Sequence, residues 1–138
     1  MTKNLTVTVG ALLVSHDRKV LLGLRAAWKS AWPGHWDTVG GRVEAGETLD
    51  AALVREVQEE IGVTPTQFRW MESIEERRPD LYGNAVHHVF AVVGWDGGNP
   101  SNVCEEHTEI RWFDIDELQH LSNLVDCDYP RLAKRAST

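Results

Sequence analysis

With 138 residues, 42% of them hydrophobic and 25% charged, the chain is long enough to bury a core and reads as one globular domain over residues 1–138. Its formal charge of −7 excludes the basic face of a general nucleic-acid binder but is compatible with a small phosphorylated partner, since a divalent metal screens carboxylates from phosphates. No apolar run approaches the roughly 18 residues of a bilayer span, so neither a nucleic acid polymer nor a membrane is expected as a partner.

The opening MTKNLTV alternates instead of forming the continuous apolar stretch of a secretion signal, which predicts a cytoplasmic protein. Leu5 to Val14 has the β-branched alternation of a strand and then a hydrophobic run. Ser15-His-Asp-Arg18 reads as a turn, and Lys19 to Arg25 as the second arm of a hairpin. Pro33-Gly34 breaks the segment Ala26 to His35 into a loop, although Trp28, Trp32 and Trp36 recur at helical spacing. Trp36 to Val43 is extended and interrupted by Gly40-Gly41.

Thr48 to Ile61 carries the clearest helix signal. Thr48 caps it, Asp50 suits the positive end of the dipole and Gly62 stops it. Strands follow at Phe68 to Glu76 and Val86 to Trp95, with a turn at Gly97-Gly98-Asn99-Pro100. A short strand spans Glu109 to Phe113, helical turns run from Asp114 to His120, and a last helix lies near Pro130 to Arg135. Antiparallel strands mixed with few helices predict an α+β chain or a layered α/β/α arrangement rather than a regular parallel sheet.

The chemistry concentrates in Gly41 to Val63. At about 100° per residue, Glu56, Glu59 and Glu60 share an arc of roughly 100° on the helix, with Arg55 beside Glu59. Leu53, Val57 and Ile61 form the adjoining apolar stripe, so the carboxylates sit at the edge of the buried face. Three like charges this close raise one another's pKa unless a cation stands among them, and Arg55 compensates only part. Magnesium, which prefers carboxylate oxygens, would do so well. A solvated glutamate-rich face is the other reading, but it lacks the usual lysine partners four residues away.

The same segment resembles the Nudix box, G-x5-E-x7-R-E-U-x-E-E-x-G-U, with U a bulky aliphatic residue. Gly41, Glu47, Arg55, Glu56, Val57, Glu59, Glu60, Gly62 and Val63 meet every fixed position. Leu21 to Arg25, Gly34-His-Trp36, Gly40-Gly41, Arg111-Trp112-Phe113 and Asp116-Glu117-Leu118 are similar to flanking parts of the family. Val39 departs from the proline that many members carry.

The resemblance implies the Nudix fold, an α/β/α sandwich with a mixed sheet and the box helix. It implies a hydrolase of phosphoric anhydrides that uses Mg2+, with Mn2+ as a substitute, to split a diphosphate linkage by water attack on phosphorus. Glu56, Glu59 and Glu60 match the family's metal-binding glutamates, with the Gly40 carbonyl and Glu106 as further ligands. Glu47 and Arg55 match a pair that holds the carboxylates in place, and Gly40 and Gly41 are expected to let the backbone turn beside the metal, with Gly46 opening the loop into the helix. Glu56 or Glu59 is the expected base, with Glu106 as the alternative. Arg25, Gly41 and Trp32 are candidates for substrate binding.

Arg77 and Arg78 are further candidates for phosphate, and Asp126 and Asp128 for a base edge. His87 and His88, adjacent on a strand, point to opposite faces and do not share an ion. Cys104 and Cys127, 23 residues apart, are expected as free thiols.

The expected substrate is a nucleoside di- or triphosphate, with ADP-ribose or a nucleotide sugar as the alternative. Pro79, 16 residues past Val63, stands where ADP-ribose-hydrolysing members are loosely associated with proline. Isopentenyl diphosphate isomerases have a similar loop at Trp32 to Trp36 but act through a cysteine near Val39 to Gly41, a region without one here. A non-catalytic nucleotide-binding module would be expected to lose box glutamates, and this chain keeps all of them. Relatives often pair, so a homodimer is a further expectation of the resemblance.

Overall fold

A computed structural model describes residues 5–138. Residues 1–4, which carry part of the expected unsignalled N-terminus, lie outside the described residues. Seven strands form one mixed sheet. They are β1 (Thr6–Val14), β2 (Lys19–Arg25), β3 (Trp36–Asp37), β4 (Val39–Arg42), β5 (Thr64–Glu75), β6 (Ala85–Asp96) and β7 (His107–Asp114). The helices are α1 (Leu49–Ile61), α2 (Pro79–Tyr82) and α3 (Tyr129–Ala136), with a 3-10 turn at Ile115–His120. Among the described residues no helix is long and apolar enough to cross a membrane.

β1 organises the sheet. One edge runs parallel to β6, from Thr6 opposite Ala85 to Leu13 opposite Val92. The other edge is divided, with β4 pairing Thr8 to Ala11 and β2 pairing Leu13 and Val14, both antiparallel. β2 carries β3 and β7, and β5 closes the far side against β6.

Alternation along these strands feeds two cores. Val9, Ala11 and Leu13 of β1 face Leu53, Val57 and Ile61 of α1, together with Phe90 and Val92 of β6. Leu12 and Val14 face the opposite way, toward Leu132, Ala133 and Ala136 of α3 and Leu118 of the 3-10 turn. The result is the layered α/β/α arrangement, with α1 and α3 on opposite faces of the sheet.

Most elements fall where the sequence predicts them. β5 begins four residues earlier than Phe68, because Thr64-Pro-Thr-Gln67 is polar and contains a proline. As an edge strand pairing only with β6, and irregular at Pro65 to Phe68, it tolerates both. β7 begins at His107 instead of Glu109, since a bulge between Leu24 and Arg25 brings Arg25 opposite His107. Pro79 starts the single turn of α2, an ordinary place for proline, where the sequence shows only a turn.

Candidate active site

The box is a loop, a helix and the end of a strand folded onto each other. Gly46, with φ at 80°, opens the loop, and Thr48 caps α1 by accepting a hydrogen bond from the Ala51 amide at 3.1 Å. Gly62 ends the helix with φ at 72°, its N–H bonded to the Gln58 carbonyl. Gly40 and Gly41 lie within β4, in regular antiparallel register with Gly10 and Val9. They have no positive φ, which corrects the expectation that they provide a tight turn. Their lack of side chains serves close approach instead. A Cβ on Gly40 would lie 1.9 Å from the Val9 carbonyl oxygen, and one on Gly41 would lie 2.6 Å from the Glu56 carboxyl carbon. The missing side chain at Gly41 is thus filled by the carboxylate of Glu56.

Arg55 gathers the acidic groups. Its guanidinium donates twice to Glu47, at 2.7 and 2.9 Å, and from Nη1 to Glu56 at 2.8 Å and Glu59 at 3.4 Å. Nη2 also donates to the Arg42 carbonyl at 3.0 Å, tying the helix to the end of β4. The Arg55 hydrogen bonds, with a second from the Glu44 amide, hold the Glu47 carboxyl down at about 2. Glu47 is therefore a permanent anion that fixes the arginine.

The three box glutamates occupy different surroundings. The side chain of Glu59 is 59% exposed, whereas Glu56 is buried against Gly41. Glu60 is only 1% exposed and is not among the groups to which Arg55 donates. Its Oε1 lies 2.7 Å from Nε2 of His107, and among the described residues its Oε2 has no hydrogen-bond donor. Burial, reinforced by Glu56, pushes its carboxyl up to about 11. Burial also lowers the pKa of His107, so the contact is a hydrogen bond rather than an ion pair. Ligand-capable atoms of Glu60, Cys104 and His107 lie within 4.8 Å of one another. Two buried carboxyls side by side are stabilised by a proton shared between them or by a divalent cation that takes its place.

The NUDIX domain model matches residues 4–134. The chain belongs to the NUDIX family. It is 32% identical over 91% of its length to the CTP pyrophosphohydrolase of Escherichia coli K12, covering 88% of that protein. It is 36% identical to the 8-oxo-dGTP diphosphatase of the same organism, over 69% of this chain and 70% of the other. The solved structure of the MutT NUDIX hydrolase of Burkholderia pseudomallei superposes with a TM-score of 0.83 at 25% identity, covering 99% of this chain and all of that one. The Nudix fold expected from the box is therefore the fold observed, and the relatives' names are those of enzymes that hydrolyse phosphoric anhydrides.

Within this Nudix domain the remaining sequence candidates fall outside the box. Glu106, expected as a further ligand, is 46% exposed at its side chain and pairs with Lys29 at 3.1 Å. Arg25 is committed within the fold. It donates from Nε to the Ala31 carbonyl at 2.7 Å and pairs with Asp37 at 3.3 Å, holding the loop that follows β2. Trp32 has φ at 49° and donates from its ring N–H to Glu76 at 3.1 Å, with its ring against Tyr82. Trp28 is exposed, and Trp36 is core, edge-on to Phe113.

Arg77 pairs with Asp126 at 2.9 Å and Asp128 at 2.6 Å, and Arg78 with Asp80 at 3.0 Å. His87 bonds Thr8 and Glu76, whereas His88 bonds the Trp70 ring N–H, so the two do diverge. Cys104 and Cys127 are free.

The sequence reading passed over two residues that shape the site. His107 closes the segment Cys104-Glu-Glu-His107 and Gly23 lies within β2, and neither belongs to a motif. A Cβ on Gly23 would lie 2.5 Å from the His107 ring, so this glycine makes room for the imidazole. A glycine inside a strand is the signal that could have found the pair, since it often marks a close approach.

Proposed function

We propose that this protein is a magnesium-dependent pyrophosphohydrolase of nucleoside triphosphates. The observation that carries the metal reading is the Oε2 of buried Glu60, without a hydrogen-bond donor among the described residues and beside the buried carboxylate of Glu56. The relatives that act on CTP and 8-oxo-dGTP support a nucleoside triphosphate as substrate class. Glu56, Glu59 and Glu60 would hold the ion, with the Gly40 carbonyl and Glu106 as further ligands. Bound there, Mg2+ would supply charge neutralisation on the phosphates and a more acidic water.

The chain's own groups supply the rest. Glu56 or Glu59 takes a proton from the attacking water, with Glu106 as the alternative base. The water oxygen bonds to one phosphorus of the bridge as the bridging P–O bond breaks, and the phosphate group on the other side leaves with the electron pair. Arg55 keeps Glu56 and Glu59 oriented and Glu47 keeps Arg55 in place. That fixed geometry is where most of the rate gain from positioning would arise. Arg25, Gly41 and Trp32 stay as candidates for substrate contact, with Arg25 and Trp32 first having to exchange the partners they hold.

A hydrolysis screen with Mg2+ tests this reading. It covers nucleoside triphosphates, oxidised ones included, ADP-ribose, nucleotide sugars and dinucleoside polyphosphates, with product identification. Monophosphate and diphosphate from a triphosphate are the expected products. Preferred cleavage of ADP-ribose or a nucleotide sugar would replace the substrate class, and no turnover of any diphosphate would favour a binding module.

A further inference from the structure

We propose that His107 is a positioning residue that orients Glu60, holding Oε1 so that Oε2 is presented to the cation. The inference rests on the reading of the box as a metal site. Ion-binding carboxylates are themselves commonly held by hydrogen bonds behind the ion, and these fix which oxygen faces it. Glu60 is the box glutamate that Arg55 does not reach. Among the described residues its side chain has one hydrogen-bond donor, Nε2 of His107 at 2.7 Å, and both side chains are almost wholly buried.

The imidazole is built into that position. Gly23 of β2 leaves the volume the ring occupies, since any Cβ there would fall 2.5 to 2.7 Å from ring atoms. The backbone of His107 is held by Asn102, whose side-chain amide donates to its carbonyl at 2.8 Å. The preceding loop is tied to the end of α1, with Ser101 and Val103 amides donating to the Ile61 and Glu60 carbonyls at 3.1 Å. Backbone and side chain of Glu60 are thus both bound to the segment that carries His107.

The tautomer follows from the partners. A neutral imidazole has one N–H, and Nδ1 has no hydrogen-bond partner among the described residues. A proton on Nδ1 would leave a buried donor unsatisfied, whereas a proton on Nε2 is donated to Oε1 of Glu60. One oxygen of Glu60 is then satisfied by protein, and the other is free for a ligand. The glycine, the histidine and the glutamate act as a chain of contacts from β2 through β7 to α1.

The test is Mn2+ binding by the purified protein, followed by electron paramagnetic resonance, with folding checked by circular dichroism. Removing a group behind a metal ligand costs roughly 10- to 100-fold in affinity, and that loss is expected for His107→Leu. His107→Gln, which keeps an N–H donor, is expected to recover much of it. Gly23→Ala, which crowds the ring without removing it, is expected to weaken binding even if His107→Leu fails to fold. In a Glu60→Gln background His107→Leu should cost nothing further, because the coupling runs through Glu60. Folded His107→Leu or Gly23→Ala protein with wild-type affinity overturns the inference while leaving the metal reading intact. A pulsed spectrum showing nitrogen bonded directly to Mn2+ would also overturn it, by placing His107 on the ion instead of behind Glu60. Wild-type protein that binds no Mn2+ removes the metal reading and this inference together.

Discussion

Arg55 grips Glu47 through two parallel hydrogen bonds, Nε to Oε2 at 2.7 Å and Nη2 to Oε1 at 2.9 Å, and uses Nη1 for Glu56 and Glu59. One planar group thereby links the loop before α1 to two carboxylates on the helix. Lysine carries the same charge but has no fork to span these partners. Arg55→Lys is expected to lose roughly a hundredfold in turnover, the scale of a misplacement of about 1 Å at an active site. Steady-state kinetics checks this, and near-normal kcat would reduce Arg55 to a surface ion pair.

The pair also sets an expectation in pH. The folded carboxyl of Glu47 titrates at about 2, below its ordinary 4.5, because Arg55 bonds the ionised form. A depressed folded pKa gives stability that is present above about 4.5 and is lost as pH falls toward 2. Denaturation midpoints of wild type and Glu47→Gln measured from pH 6 to pH 2 should therefore converge toward the acid end. A gap that stays constant over this range would mean that the ionised form of Glu47 contributes nothing.

The box glycines yield a paired prediction. Gly40→Ala would drive a methyl group into the Val9 carbonyl, and backbone of a central strand cannot move aside cheaply. It is expected to lower thermal stability markedly. Gly41→Ala meets only the tip of Glu56, which can swing away. It is expected to keep nearly the wild-type melting temperature while losing activity, because the displaced carboxylate is one proposed to act. Melting curves and rates for both variants check this, and the reverse ranking would remove the packing argument.

How far the sequence reached depends on whether a feature was local. The helix of the box was legible because its cap, stop and apolar stripe all lie within 15 residues, Thr48 to Gly62. Leu5 to Val14 was legible as a strand, but its hydrophobic run did not show that Val9, Ala11 and Leu13 face α1 while Leu12 and Val14 face α3. Spacing on one helix also placed the three glutamates together. It could not tell them apart, because what distinguishes Glu60 is His107, 47 residues away in sequence. Arg25 and Trp32 looked free for the same reason, since their partners Asp37 and Glu76 arrive from other strands or strand ends. The role of Gly40 likewise depends on Val9, across the β1–β4 pairing.

Glu60→Gln separates stability from function. The metal-free carboxyl is held neutral by burial, its pKa pushed up to about 11, so a neutral amide of the same shape should leave the metal-free fold near wild-type stability. A metal that binds only the folded state raises the melting temperature by mass action. Wild type is therefore expected to melt higher in Mg2+ or Mn2+ than without metal, and Glu60→Gln to show little of that increase. Turnover should fall by roughly two orders of magnitude or more, if the several kcal/mol of a bound ion are lost. Equal metal-induced shifts in both proteins would take Glu60 out of the ion's coordination.

The base is the last point at which the geometry separates alternatives. Glu56 and Glu59 are held by Arg55 on the helix that the proposed ion shares, whereas Glu106 lies in the loop before β7 and is paired with Lys29 at 3.1 Å. A base in the box needs no rearrangement of Glu106, so Glu106→Gln should cost far less turnover than Glu59→Gln. A base in the loop would require Glu106 to leave Lys29, and Lys29→Ala would then raise the rate by freeing it. The three variants assayed together under saturating Mg2+ decide between these arrangements. A loss in Glu106→Gln equal to that in Glu59→Gln, with a gain in Lys29→Ala, moves the base to the loop. A small loss and no gain keeps it on α1, where one arginine already holds both candidate carboxylates in place.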